Sequence, residues 1–198
     1  MKSESAWHFE GDLRAALIEA AREIVERDGA AALSLRGVAR ATGVSAMAPY
    51  HHFKDRAALV ASVAAEGFDR LYSDKMAALA ASGGDPAQRI IAGSIAYVRF
   101  VLEHPELYRL MKSPELADRD AHPGLAAAAA RPGASLQAML SELAVAGRLH
   151  GIGAGEAGQI LWALVHGIGT LAVDSYLGNP EALAADGAAV LLAGWGAL

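Results

Sequence analysis

Residues 34–59 read SLRGVARATGVSAMAPYHHFKDRAAL, from Ser34 to Leu59, and the rest of the chain is best understood from this stretch outward. Ser34 suits a helix N-cap, because its hydroxyl can accept a free N–H of the first turn, and Leu35, Val38 and Ala39 then recur on one helical face. Thr42-Gly43 stops that helix, since glycine takes the closing left-handed conformation without steric cost. Ser45 offers a second cap for a third helix running to about Phe53, and a fourth starts near Asp55. Helix, tight turn, helix is the arrangement that lays its second helix in the DNA major groove, with residues near the N-terminus at the base edges. Ala46 and Met47 stand there, small enough or flexible enough for close approach. Tyr50 and His51 follow one turn later, where a hydroxyl and an imidazole can donate to phosphates, while Phe53 plugs the core. Lys54 and Arg56 flank the start of the fourth helix, whose free N–H groups and positive dipole end also favour a phosphate. With Ser34 and Arg36 at the start of the second helix, the expected DNA-contacting set is Ser34, Arg36, Ser45, Ala46, Met47, Tyr50, His51, Lys54 and Arg56. Pro49 falls inside the short third helix; counted from Ser45 it is the fourth helical residue and deletes only the first intrahelical bond.

Charge supports the same division. The chain of 198 residues carries a formal net charge of −5, which by itself argues against a generic nucleic-acid binder. Yet Arg36, Arg40, Lys54 and Arg56 face only Asp55 between Ser34 and Arg56, whereas nine basic residues meet fourteen acidic ones from Ala57 onward. A small basic patch is attached to an acidic body. Hydrophobic residues make up 54% and charged residues 20%, well away from the composition of disordered chains. The absence of cysteine removes disulfides, thiolate nucleophiles and Cys-ligated zinc, and fits a reducing cytoplasm. Met1 to Arg14 lacks the apolar segment of a secretory signal. Ala157 to Val173 is the longest run without Asp, Glu, Lys or Arg, at 17 residues; it is too short and too glycine-rich to span a bilayer and reads as a buried helix.

Helical periodicity continues on both sides. Phe9, Leu13, Leu17, Ala20, Ala21, Ile24 and Val25 form the apolar face of a first helix ending at Asp28-Gly29, with Asp12, Arg14, Arg22, Glu23 and Glu26 between them. The fourth helix extends through Leu59, Val60, Val63, Phe68 and Leu71. Asp85-Pro86, a cap followed by proline at the first helical position, starts a fifth helix to His104, and Pro105 opens a sixth through Leu107, Tyr108, Leu110 and Met111. Ser113 to Pro123 is expected to be a loop. The alanine run after it is expected to break at Arg131-Pro132-Gly133, with Ser135 restarting a helix to about Leu149. An eighth helix runs from Glu156 to Leu177 and, after Gly178-Asn179-Pro180, a ninth ends near Trp195. Period-two alternation is missing, so no strands are expected. The prediction is an all-α chain of about nine helices, with residues 1–56 a helix-turn-helix domain and residues 57–198 a second helical domain.

The stretch from about residue 9 to 71 resembles the DNA-binding domain of the TetR family of bacterial regulators. The family pattern is met in register by Val38-Ala39, Gly43-Val44-Ser45, Tyr50, Phe53, Arg56 and Leu59. Where common members carry glycine, threonine and leucine before the tyrosine, this chain has Met47-Ala48-Pro49, so base preferences do not transfer; the family's lysine is replaced by Arg56, which keeps a phosphate contact. HPELYRLM, His104 to Met111, and LWALVHGIGTL, Leu161 to Leu171, are similar to a C-terminal subgroup marked by Trp162, His166 and Gly167. The resemblance implies a dimer formed by the last two helices, a palindromic operator, and a ligand pocket in the second domain with Tyr97, Phe100, Tyr108, Met111, Trp162 and His166 as candidate lining. It implies a transcriptional regulator, a repressor released by an apolar or aromatic effector, with no cofactor, metal or membrane partner.

Plainer readings stand beside these. His51 and His52 also suit a helix C-terminus, where cationic side chains are favoured. Trp162 and His166, one turn apart, grip a ligand or, more commonly, pack in a core. Tyr97, Phe100, Tyr108 and Met111 are at core spacing, and Arg99 fits a solvated face. The rival class is a helical enzyme or carrier, but the seven histidines show no metal-ligand spacing, and there is no nucleophile elbow or phosphate loop after a strand.

Overall fold

A computed structural model describes residues 13–198. The expected start of the first helix at Phe9, and most of the segment read as free of a secretory signal, lie outside them. Eight α-helices occur: α1 Leu13–Asp28, α2 Leu35–Thr42, α3 Arg56–Ala81, α4 Pro86–Glu103, α5 Pro105–Met111, α6 Pro123–Val145, α7 Ala154–Val173 and α8 Pro180–Gly194. Three short 3-10 turns lie at Ala30–Ala32, Ala48–His51 and Pro114–Leu116. The described residues contain no strand. The count is eight, not nine, because the expected third helix is a single 3-10 turn.

Caps set several boundaries as local chemistry requires. The Ser34 hydroxyl accepts the Gly37 N–H at 3.1 Å, Asp85 accepts that of Ala87 at 2.8 Å, and Asn179 accepts that of Ala182 at 3.4 Å. Asp55 takes the Ala58 N–H at 2.8 Å, fixing the start of α3. Gly43 closes α2 at φ 72°, and the Val44 N–H reaches back to the Ala39 carbonyl at 3.0 Å, the paired-bond ending that a left-handed residue permits.

Three further expectations are corrected. No break occurs at Arg131-Pro132-Gly133: α6 runs through Pro132. A proline inside a helix removes one N–H, and the alanines before it are the strongest helix formers available. The Pro132 carbonyl accepts from Lys75 Nζ at 2.9 Å and from Ser135 Oγ at 2.9 Å, so Ser135 bonds within a continuing helix instead of capping a new one. The same helix stops at Val145, short of Leu149, where Gly147 adopts φ 67° and the Arg148 N–H bonds to the Leu143 carbonyl at 2.9 Å. α7 likewise ends before Leu177, with Ser175 at φ 62° and the Tyr176 N–H on the Leu171 carbonyl at 3.1 Å.

The described residues divide into two compact units, residues 13–67 with 106–128, and residues 68–105 with 129–198. In the first, Leu17, Ile18, Ala21, Ile24 and Val25 of α1 are buried, as are Leu35, Val38, Phe53, Leu59 and Val63. Arg22 departs from the polar side that periodicity gave it. It is buried, with its guanidinium paired to Glu19, Glu26 and Glu66; hydrogen bonding to Glu19 above all, with Glu26, raises its pKa despite the cost of burial. In the second unit α4, α7 and α8 pack on one another around a core that includes Leu79, Ile90, Leu140, Leu143, Leu161 and Leu192.

Candidate nucleic-acid interface

The reading segment is built on α2 and the turn after it. Buried Leu35, Val38 and Ala39 fix α2, which leaves Ser34, Arg36 and Arg40 exposed. After Gly43 the chain does not enter an α-helix at Ser45, as expected. Ser45 contributes its carbonyl, which accepts the Ala48 N–H at 3.0 Å, and the helical turn covers only Ala48–His51, with Met47 at its cap. Pro49 explains the difference. It is buried at the first turn of this short helix, where its missing N–H has no partner to lose, while its carbonyl accepts from His52 N–H at 3.0 Å and Phe53 N–H at 2.9 Å. Ser45, Ala46, Met47, Tyr50, His51, His52 and Lys54 are left exposed.

Phe53, 2% exposed, anchors the turn from behind. The Arg14 guanidinium lies 5.4 Å from its ring centroid and donates to Ser62 Oγ at 3.1 Å, a cation–π support that the amphipathic pattern of α1 gives no reason to expect.

Eight of the nine expected contact residues are thus exposed on one short segment. Arg36, Arg40 and Lys54 make no ion pair among the described residues. Asp55, the local acid, is occupied as a helix cap. Arg40 belongs to this cationic set by position, although it is not among the expected contacts.

Arg56 is different. Its Nε donates to the Leu33 carbonyl at 3.0 Å, Nη2 to the Ala30 carbonyl at 2.7 Å, and Nη1 to Glu115 at 3.0 Å. The guanidinium thus ties α3 to the loop before α2 and to the turn at Pro114–Leu116. Sequence reasoning missed Glu115, which lies far from the motif in a segment read only as loop.

The six candidate pocket residues divide between the units: Tyr97, Phe100, Trp162 and His166 fall in one, Tyr108 and Met111 in the other. Tyr97 Oη and His166 Nδ1 are hydrogen-bonded at 2.9 Å, and the Trp162 ring stacks on His166 with centroids 4.7 Å apart. Trp162 is 54% exposed, so the expectation that it packs in a core is not met. Phe100, Tyr108 and Met111 are buried, and Met111 Sδ occupies the space beside Gly67 that a Cβ would need, at 2.8 Å.

Residues 17–63 match the family described as bacterial regulatory proteins, tetR family, and residues 90–193 match the tetracyclin repressor-like C-terminal domain. A solved structure of a protein of unknown function from Rhodococcus sp. RHA1 is 31% identical, with a TM-score of 0.84 over 98% of this chain and 100% of that one. The fold is shared with the TetR family transcriptional regulator PfmR from Thermus thermophilus (20% identity, TM-score 0.68, 89% and 97% covered). It is shared also with the transcriptional regulator FadR from Bacillus subtilis, solved in complex with stearoyl-CoA (15% identity, TM-score 0.74, 91% and 98% covered). No curated protein matches the chain.

Proposed function

Because the chain belongs to the TetR family and is a DNA-binding transcriptional regulator, we propose that it is a homodimeric, non-enzymatic repressor acting in the cytoplasm, released from a palindromic operator by a small molecule. The observation that carries this reading is the exposure of Arg36, Arg40 and Lys54, without carboxylate partners among the described residues, beside an exposed turn from Ser45 to His51. Ser34, Arg36, Tyr50, His51 and Lys54 are assigned to phosphates and Ser45, Ala46 and Met47 to base edges. Arg56 is assigned to holding the reading head in place.

Pairing is assigned to α7 and α8, the eighth and ninth helices of the sequence reading. Ile160, Ala163, Gly167 and Leu171 follow one another at helical steps on the exposed side of α7, and Leu183 and Val190 stand exposed on α8. Val190 is 71% exposed, a cost in a lone chain that a second copy removes. Two heads would then reach successive major grooves about 34 Å apart. The effector, an apolar or aromatic molecule, is assigned to the Tyr97, Trp162 and His166 group, with Phe100, buried on α4 in the same unit, as a further candidate. It can shift the DNA-binding equilibrium only by its differential affinity for the two states.

Selection from a pool of random duplexes at physiological salt tests the reading. An enriched palindrome whose binding is lost on adding the right ligand is the expected result. A folded dimer that enriches no sequence would remove it.

A further inference from the structure

Within the unit that carries the reading turn, Met47 at 63% and Tyr50 at 42% are the exposed large apolar side chains among the described residues. From Gly43 to Tyr50 the chain reads GVSAMAPY, without arginine, lysine, asparagine, glutamine, aspartate or glutamate. The bidentate bonds that identify guanine through Arg or Lys, and adenine through Asn or Gln, need side chains this segment lacks. The Ser45 hydroxyl pairs with either kind of edge and selects little.

The backbone narrows the choice further. The Ala48 N–H is bonded to the Ser45 carbonyl at 3.0 Å and the Tyr50 N–H to the Met47 carbonyl at 3.1 Å. Pro49 has no N–H and is buried. The Ala48 and Tyr50 N–H groups are therefore satisfied within the turn, and the side chains that Ala46 and Met47 offer are a methyl and a thioether chain. In the major groove the base feature that hydrocarbon answers is the 5-methyl group of thymine. An unbranched, polarizable methionine can adjust to such a small target.

We propose that the Ser45–Tyr50 turn reads its operator through thymine 5-methyl groups packed against Ala46 and Met47. The inference rests on the regulator reading above and adds to it the base that the turn selects. Arg36, Lys54 and the phosphate contacts set register and overall affinity. The apolar tip sets which positions must be thymine.

The test uses the full chain and the palindrome recovered by selection. Each thymine is replaced in turn by deoxyuridine, which removes the methyl and keeps every hydrogen-bonding group. At one or two positions in each half-site the replacement should weaken binding about 4-fold, the worth of one buried methyl. Met47→Ala, at an exposed site where folding is not at stake, should bind the thymine and uridine duplexes alike at one of those positions. Indifference to uridine everywhere would overturn the proposal, as would a loss that Met47→Ala and Ala46→Gly leave unchanged, because the methyl would then act through duplex shape. A pool that yields no palindrome removes the regulator reading itself, so the two failures are distinguishable.

Discussion

Arg56 Nη1 donates to Glu115 at 3.0 Å across 59 positions of sequence, joining the first residue of α3 to the 3-10 turn that follows α5. The same guanidinium also donates to the carbonyls of Leu33 and Ala30. An arginine at the end of the DNA-binding motif thus serves as a brace for the loop that precedes α2.

Arg56→Ala should destabilise the protein by about 1–3 kcal/mol, because it leaves the part-buried Leu33 carbonyl without its donor and takes from the Ala30 carbonyl the second of its two donors. Glu115→Gln should cost under about 1 kcal/mol, since the pair is 40% and 38% exposed at its side chains and exposed pairs are weak. Urea unfolding of the two variants checks the order. Equal costs would mean that the ion pair, and not the backbone contacts, matters most.

Lys75 is 7% exposed, and burial lowers its pKa from 10.5 to about 8. Between those two values the unfolded chain binds more protons than the folded one, so wild-type stability rises as pH goes from 8 to 10.5. Below pH 8 the full cost of charging the buried amine is present, on the order of 3 kcal/mol. Lys75→Met should therefore be more stable than wild type at pH 7 by about 1–3 kcal/mol, the lost bond to Pro132 offsetting part of the gain. The difference should shrink towards pH 10 in paired denaturant titrations. A constant difference would mean that Lys75 stays charged in the folded chain across this range and that burial does not lower its pKa.

Two glycines of α7 make contrasting tests of the pairing surface. A Cβ at Gly169 would meet Val101 Cγ2 at 3.2 Å, whereas one at Gly167 meets nothing within 4 Å. Glycine in mid-helix costs roughly 0.5–1 kcal/mol relative to alanine, so the open position gains nothing within its own chain. Gly167→Leu should remain folded and sediment as a monomer at micromolar concentration, while Gly169→Leu should lower the melting temperature. A Gly167→Leu dimer as tight as wild type would move the interface elsewhere.

Tyr50→Phe should weaken binding to all sequences alike, because a phosphate contact carries no base information. Lys54→Ala should do the same and lower the slope of log K against log salt by about 1. Binding isotherms on the selected palindrome and an unrelated duplex, at several salt concentrations, separate these effects from the sequence-dependent change expected for Met47. A slope unaltered by Lys54→Ala would remove that lysine from the phosphate set.

The amino-acid order alone determined the helical class, the turn at Gly43, the caps at Ser34 and Asp85, and the exposed basic segment around Tyr50. Each of these depends on interactions within about four residues, so periodicity and capping chemistry carry them. Pro49 shows the limit even at short range, since its buried ring turned an expected α-helix into a single 3-10 turn. What only the tertiary structure decided are matters of distant partners. The Lys75 ammonium reaches the Pro132 carbonyl across 57 positions, in a helix that the local pattern divides in two, and the Arg56 guanidinium reaches Glu115 across 59. Trp162, whose apolar surroundings point to a core, is instead left half in solvent on His166. No local pattern encodes such pairings, because they exist only once the chain has brought remote backbone and side chains into reach.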